Sequence, residues 1–149
     1  LGTRHQAAAH EGLDTRMFRY MHDKGMSTKS KAMCPEGDSW LIVEFGGDSR
    51  RESDELARGL MKTFRGRTHP PSMKLFDDPE EEKLLWQVRE SGLGSTSKIP
   101  REPDFYPGWE DAAVPPERIG DYLREFYDQM KEFGYEASLY GHFGQGCVH

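Results

Sequence analysis

The sequence predicts a mixed fold in which strands and helices alternate along a single domain of 149 residues. Residues 40–45 (WLIVEF) form the most apolar run and are bounded by turn residues, which is typical of a buried, central strand. Apolar side chains recur at helical spacing over residues 119–133, and apolar and polar residues alternate over 137–142. Alternation of this kind, taken alone, favours a parallel sheet.

The first part of the chain contains one predicted helix. Residues 1–12 lack capping residues and an apolar period, so we expect a disordered segment or a linker there. Asp14 is a good N-cap for a helix over residues 15–24, and Gly25 provides its stop.

The next part combines the apolar strand with an amphipathic helix. Because neither face of residues 40–45 is polar before Glu44, we expect Leu41 or Val43 to be buried. Ser49 and Glu52 have the spacing of a capping box and begin a helix over residues 49–65.

The middle of the chain has a short candidate strand, a helix and a long loop. Residues 73–76 are apolar enough for an edge strand. Asp78 followed by Pro79 and three glutamates predicts a helix over 79–91, since a cap, a first-turn proline and negative charge all favour a helix start. Residues 92–108 are rich in glycine and proline, and a loop of this length is often functional.

The last part predicts a strand, a helix and a second strand. Residues 109–114 form the first strand, which Pro115 and Pro116 end. The helix over 119–133 closes at Gly134, and the strand over 137–141 then delivers His142 on its polar face.

Composition excludes several classes of function. The formal charge of −6 argues against nucleic-acid binding, which needs clustered Lys and Arg. The sequence has no transmembrane-length apolar run and no export signal. The two cysteines, Cys34 and Cys147, are far apart and fit a reducing compartment, so we expect a cytoplasmic protein, although a single disulfide is also compatible with the sequence.

The last ten residues, 140–149 (YGHFGQGCVH), have the composition of a site. His142 and His149 bracket three glycines, and imidazole is both the commonest metal ligand and the usual proton carrier near neutral pH. Glycine lets a backbone pass close to a ligand. The alternative is a strand that runs into a glycine turn with two ordinary histidines. A metal site would also require a third protein ligand.

Three stretches together resemble the C-terminal, substrate-side domain of FAD-linked oxidases of the vanillyl-alcohol oxidase superfamily, which includes D-lactate, glycolate and D-2-hydroxyglutarate dehydrogenases. The stretches are residues 40–47 (WLIVEFGG), 85–90 (LWQVRE) and 110–119 (EDAAVPPERI) leading into 140–149. The resemblance covers residues 13–149. It implies an α+β fold with a ferredoxin-like antiparallel sheet, helices on one face and a helical insert between the second and third strands.

The resemblance also implies roles for individual residues. His142 and His149 match two histidines that act at the catalytic centre and bind a divalent metal such as zinc in the metal-dependent branch. The third ligand there, a glutamate further along the chain, is missing from this sequence. Arg89 matches the arginine that receives the substrate carboxylate, a task for which its planar fork of donors is suited. Gly144 and Gly146 are expected to lie beside the cofactor.

Two departures from the family pattern reduce the charge expected around this site. Trp109 stands at the position of a substrate-binding lysine, and residues 144–147 read Gly-Gln-Gly-Cys where the metal-dependent branch has Gly-Asp-Gly-Asn. The form in this chain, residues 141–149 (GHFGQGCVH), instead resembles the one found in long fusion proteins of this superfamily that also carry iron–sulfur domains. These departures put both the substrate and the use of metal in question.

The resemblance implies a piece of an FAD-dependent oxidoreductase that oxidises a 2-hydroxy acid, truncated at its C-terminal end. FAD would be bound mainly by a domain absent here. The expected partners are a small carboxylate substrate, the FAD domain of the same parent chain and an iron–sulfur domain or other electron acceptor, with peripheral membrane attachment through the parent as an alternative to a purely cytoplasmic location. A non-catalytic ferredoxin-like interaction module is the competing interpretation.

Overall fold

The computed structural model describes residues 7–26, 29–100 and 111–149. Its helices and strands are, in chain order, β1 (Ala7–Asp14), α1 (Thr15–Asp23), β2 (Ser39–Phe45), α2 (Arg50–Arg65), α3 (Pro79–Glu90), α4 (Gly92–Thr96), β3 (Ala112–Ala113), α5 (Ile119–Glu132) and β4 (Cys147–Val148). Short 3-10 turns occupy Lys29–Met33, Pro116–Arg118 and Phe143–Gln145. The protein is therefore a mixture of helices and small sheets, as the sequence predicts.

The starts of α1, α2 and α3 are set by the caps that the sequence predicts. Asp14 accepts a hydrogen bond from the Met17 backbone N–H at 3.0 Å. Ser49 accepts one from the Glu52 N–H at 3.3 Å, and Asp78 caps α3 with Pro79 in its first turn. Each cap satisfies backbone N–H groups that have no partner inside the helix, so the helix boundaries follow from local sequence.

Among the described residues the strands pair antiparallel, contrary to the parallel sheet that alternation alone favours. β1 pairs with β2 from Ala7↔Phe45 to Asp14↔Ser39, and β3 pairs with β4. Residues 140–141 connect the two pairs, because Gly141 exchanges backbone hydrogen bonds with Gly12 while Tyr140 exchanges them with His149. The hydrogen-bonded order is therefore β2, β1, residues 140–141, β4 and β3. The full ferredoxin-like arrangement stays a prediction.

The beginning of the chain differs from its prediction. Residues 7–12, expected to be linker or disordered, belong to β1, and Glu11, Gly12 and Leu13 are buried. The short side chains of this segment show no apolar period. It is ordered by its pairing with β2 and with Gly141, which are distant in sequence. Residues 1–6 lie outside the described part of the chain.

The apolar run at residues 40–45 is a strand, but its predicted central position is wrong for the described residues. β2 pairs there with β1 alone, Leu41 is 43% exposed and Val43 is partly buried. A continuous apolar run indicates a strand without telling which of its faces or edges is covered. Leu41 lies instead along an open groove of about 540 Å³ between β2, α2 and residues 71–76.

Four other predicted segments differ from the structure. The strand predicted over 137–141 does not form, and only residues 140–141 make strand-like backbone hydrogen bonds. Residues 73–76 contain no strand, since they find no strand partner among the described residues. The loop predicted over 92–108 begins with α4 and continues into residues 101–110, which lie outside the described part. The strand predicted over 109–114 is reduced to β3 in the part that is described.

The hydrophobic core lies between β1, α1 and α3. Its buried members are Leu13, Met17, Phe18, Met21, Val88 and Tyr140. The Asp14 carboxylate ties the C-terminal segment to this core, because it accepts hydrogen bonds from the Ser138 hydroxyl and the Leu139 N–H, both at 2.9 Å. Asp14 thus holds residues 138–142 against β1. None of the described helices combines the length and hydropathy needed to span a membrane.

Candidate functional site

The centre of the candidate site is a buried ion pair between β1 and α3. Arg89, at the C-terminal end of α3, is 7% exposed, and Glu11 of β1 is 4% exposed. The Arg89 Nε donates to Glu11 Oε2 at 2.5 Å. Charges this deeply buried are tolerated when each finds an oppositely charged, hydrogen-bonded partner. The pair therefore fixes the orientation of the guanidinium group.

His142 extends this pair towards solvent. Its Nδ1 lies 2.9 Å from Glu11 Oε1, so the carboxylate connects the arginine and the imidazole. Arg89 Nη2 lies 3.2 Å from His142 Nδ1 and 3.4 Å from Nε2. The His142 side chain is half exposed, which leaves the ring accessible to a small molecule. A carboxylate that orients an imidazole in this way is a common device for proton transfer.

His149 lies beside His142 and is more deeply placed. Its ring stacks on Tyr140 at a centroid distance of 5.1 Å and meets the His142 ring edge to face at 5.5 Å. Its Nδ1 is 2.9 Å from Asp111 Oδ1, and its Nε2 is 3.8 Å from Cys147 Sγ. The structure thus brings together Arg89, His142 and His149, three residues that sequence reasoning selected.

The other residues that the sequence predicts for the site are Gly144, Gly146 and Trp109. The two glycines make room for this chain itself, because a Cβ on Gly144 would collide with the His10 ring and one on Gly146 would collide with the Val114 carbonyl. Gly146 also has a left-handed φ of 79°, which explains why glycine is needed there. Trp109, predicted to bind substrate, lies outside the described residues.

Sequence reasoning did not assign site roles to Glu11, Asp111 or Cys147. Glu11 lies in a segment expected to be a linker, and a lone glutamate carries no signal that its partner is an arginine 78 positions away. Asp111 and Cys147 reach His149 through the pairing of β3 with β4. Only the Cys147 position within the glycine-rich stretch could have drawn attention.

The candidate site is thus a buried arginine of α3, paired with Glu11 of β1, beside two histidines of the C-terminal segment. The sequence profile of the family described as FAD linked oxidases, C-terminal domain, matches residues 2–149, and the chain belongs to this family.

Relatives of known function are larger proteins. The chain is 29% identical over 152 aligned positions to a D-lactate dehydrogenase [cytochrome], mitochondrial, from Kluyveromyces lactis, covering 97% of this chain and 25% of that protein. It is 26% identical over 110 positions to a D-2-hydroxyglutarate dehydrogenase from Pseudomonas putida, covering 72% of this chain and 11% of that protein. The chain therefore spans a quarter or less of the length of these relatives.

Proposed function

We propose that this chain forms the substrate side of an FAD-dependent oxidoreductase that oxidises a 2-hydroxy acid such as lactate, glycolate or 2-hydroxyglutarate. Membership of the FAD-linked oxidase family and the names of the two relatives support this class of reaction. The observation that carries the proposal is the placement of Arg89 against Glu11 and His142, where β1 meets residues 140–141. The rest of the catalytic apparatus, including the FAD domain and the electron acceptor, belongs to the proposed parent protein.

Arg89 is proposed to receive the substrate carboxylate. Its Nε is committed to Glu11, whereas its Nη2 points to the accessible His142 ring. A guanidinium that stays charged at all working pH values and is fixed by one carboxylate can offer its remaining N–H groups to a second carboxylate in a defined plane. Burial keeps water from competing for these donors. Arg89 would thereby orient the hydroxyl-bearing carbon of the substrate towards the histidines.

His142 is proposed to accept the proton of the substrate hydroxyl, with His149 behind it. Glu11 holds His142 at Nδ1, and the ring is half exposed, so a bound hydroxyl can approach it. His149 stacks on Tyr140 and supports the ring of His142 from the side. FAD, which the family name implies, would supply the acceptor for the hydride. The space that a Cβ would fill at Gly144 and Gly146 is occupied by His10 and by the Val114 backbone, so no contact of these glycines with FAD is proposed.

The predicted metal pair of His142 and His149 does not fit a cation well. Both nitrogens of His142 lie within 3.4 Å of the Arg89 Nη2, so a dication bound to this ring would face a permanent positive charge at close range. No catalytic step through a metal on His142 is proposed.

The proposal is tested on the full FAD-loaded protein with D-lactate, glycolate and D-2-hydroxyglutarate as probes. Anaerobic mixing should bleach the flavin with at least one of these acids. Arg89→Lys should raise KM by tenfold or more with a smaller change in kcat, because the bidentate fork is lost, whereas His142→Ala should chiefly lower kcat. Arg124→Ala, on exposed α5, is the control and should behave like the wild type. Bleaching that is unaffected by Arg89→Lys, or absent with all 2-hydroxy acids, would refute the proposal.

A further inference from the structure

β2 has one edge without a strand partner in the described part of the chain. It pairs with β1 alone, and its backbone forms no hydrogen bond with residues 71–76, which line the same open groove. Every residue of β2 lines this groove, so the groove follows the strand along its whole length. An edge of this kind presents a row of N–H and C=O groups with which a further strand can pair.

Residues 71–76 form another wall of the groove and have no regular secondary structure. No backbone hydrogen bond joins them to another described residue. They are held by side chains instead, because the Ser72 hydroxyl donates to the Glu36 carbonyl and the Lys74 Nζ lies 3.2 Å from Glu81 Oε2. The groove therefore separates two segments that both have backbone groups able to pair with an inserted strand.

The lining of the groove is largely apolar and incompletely covered. Leu41 of β2 is 43% exposed, and the apolar stripe of α2 faces the groove although Leu60 is the one buried residue of that helix. The volume of about 540 Å³ falls within the range of roughly 300–1,000 Å³ that is typical of ligand-binding pockets. Side chains that entered the groove would remove this apolar surface from water, which favours association.

The charges around the groove favour a basic partner. Among the described residues that line it, Glu44, Asp54 and Glu82 are acidic, and the single basic residue, Lys74, is already paired with Glu81. A second copy of β2 would bring another Glu44 and a chain of formal charge −6 to this groove, so like charges oppose pairing between two copies. A strand that carries Lys or Arg meets complementary charge instead.

We propose that the groove along β2 binds an extended segment of another protein, in which apolar residues alternate with polar ones and Lys or Arg stands at the ends. The backbone of this segment pairs with the open edge of β2, alternate side chains enter the groove, and the basic ends meet Glu44, Asp54 and Glu82. In strand addition the main-chain bonds provide affinity and the side-chain pockets provide specificity. None of the residues of the Arg89 site lines the groove, so the proposal does not depend on which acid, if any, is oxidised.

The first test is a calorimetric titration of the 149-residue chain with a synthetic peptide in which valine and threonine alternate between terminal lysines. We expect saturable one-to-one binding, and a Kd about tenfold or more higher when glutamates replace the terminal lysines, since these would face the acidic groove. Leu41→Lys should also raise the Kd for the lysine-ended peptide by about tenfold or more, because a charge on an edge strand opposes pairing. Phe133→Lys is the matched control, since Phe133 is 69% exposed and does not line the groove, and its Kd should stay within about threefold of the wild type.

Amide hydrogen exchange, followed by NMR, is the second readout. The lysine-ended peptide should slow the exchange of those β2 amides that do not bond to β1, and it should leave the amides of α5 unchanged. Binding without this protection would show that the peptide does not pair as a strand, and equal affinity for the two peptides would show that charge does not select the partner. Either result would overturn the proposal, as would the absence of binding in a chain that circular dichroism shows to be folded.

Sedimentation of the chain without peptide tests the other possible occupant of the edge, a second copy of β2. We expect a monomer, because like charges oppose the pairing of two copies. A dimer that Leu41→Lys dissociates and Phe133→Lys leaves intact would show that the edge belongs to an interface between copies, and the proposal of a basic partner would be wrong.

Discussion

Arg89 and Glu11 are 78 positions apart in the chain, yet the Arg89 Nε and the Glu11 Oε2 lie 2.5 Å from each other in a buried environment. This contact joins the end of α3 to the middle of β1. It also holds His142, whose Nδ1 contacts the other oxygen of the same carboxylate. Glu11 is therefore both a structural partner of α3 and the residue that orients the candidate site.

Removing the Glu11 charge should destabilise the protein strongly. Glu11→Gln leaves the Arg89 guanidinium buried without its counter-charge, and breaking a buried pair from one side costs about 3–5 kcal/mol. Urea denaturation followed by circular dichroism measures the change. Glu55→Gln, which breaks the exposed Arg51–Glu55 pair of α2, is the matched control and should cost less than about 1 kcal/mol. Equal losses in the two variants would contradict the importance of the buried pair.

Two leucines on the β1–β2 ribbon should respond very differently to truncation. Leu13 is 2% exposed and belongs to the core, so Leu13→Ala should cost about 2–5 kcal/mol. Leu41 is 43% exposed beside the open groove, and Leu41→Ala should cost less than about 1 kcal/mol. Thermal and urea unfolding compare the two. A loss at Leu41 as large as that at Leu13 would mean that another part of the protein covers β2.

The helices could be predicted from sequence because their signals are local. Asp14, Ser49 and Asp78 each cap a helix within three residues of themselves, and these contacts are the ones that the structure contains. β1 could not be predicted in the same way. It is held as a strand by pairing with β2, which lies about thirty residues later in the chain, and with Gly141. The small residues and the histidine at the start of β1 show no apolar period, so the local sequence does not indicate a strand partner.

In the candidate site, too, some residues could be predicted from the sequence and others depend on distant contacts. Arg89, His142 and His149 were selected from sequence, and they converge. Glu11 was missed because the charge that makes burial of a glutamate possible lies on a distant helix. The structural reason for Gly146 could not be read either, since it depends on the Val114 carbonyl across the turn.

Gly146 should be intolerant of any side chain for two separable reasons. Its φ is 79°, in the left-handed region, and a Cβ there would collide with the backbone of Val114. Gly134 is a matched control, since its φ is 70° and a Cβ there would meet nothing within 4 Å. We expect Gly134→Ala to cost roughly 1 kcal/mol from backbone strain alone and Gly146→Ala to cost clearly more. Denaturant midpoints of the two variants measure the difference, and similar losses would argue against the collision.

His10 should make the stability of the protein fall in mild acid. Burial lowers the pKa of His10 below its ordinary value of 6.5, and its Nε2 is buried without a hydrogen bond to any residue in the described ranges. In the unfolded chain the same imidazole takes up its proton at the ordinary pKa, so between the two pKa values the unfolded state binds more protons. The free energy of unfolding is therefore unaffected by His10 well above about pH 6.5, where the imidazole is neutral in both states. It declines as the pH falls from there towards the lower pKa of the folded state.

His10→Gln removes this titrating group from a position where its ring packs against Gly144. The experiment compares the free energy of unfolding of the wild type and of the variant at several pH values between about 7.5 and about 5, a range that includes the ordinary histidine pKa. The wild type should lose stability relative to His10→Gln as the pH falls, whereas their difference should be constant above about pH 7.5. His22→Gln, at an exposed position of α1, controls for the loss of a histidine in general. A difference between the wild type and His10→Gln that stays constant throughout would show that His10 is protonated as easily in the folded protein as in the unfolded chain.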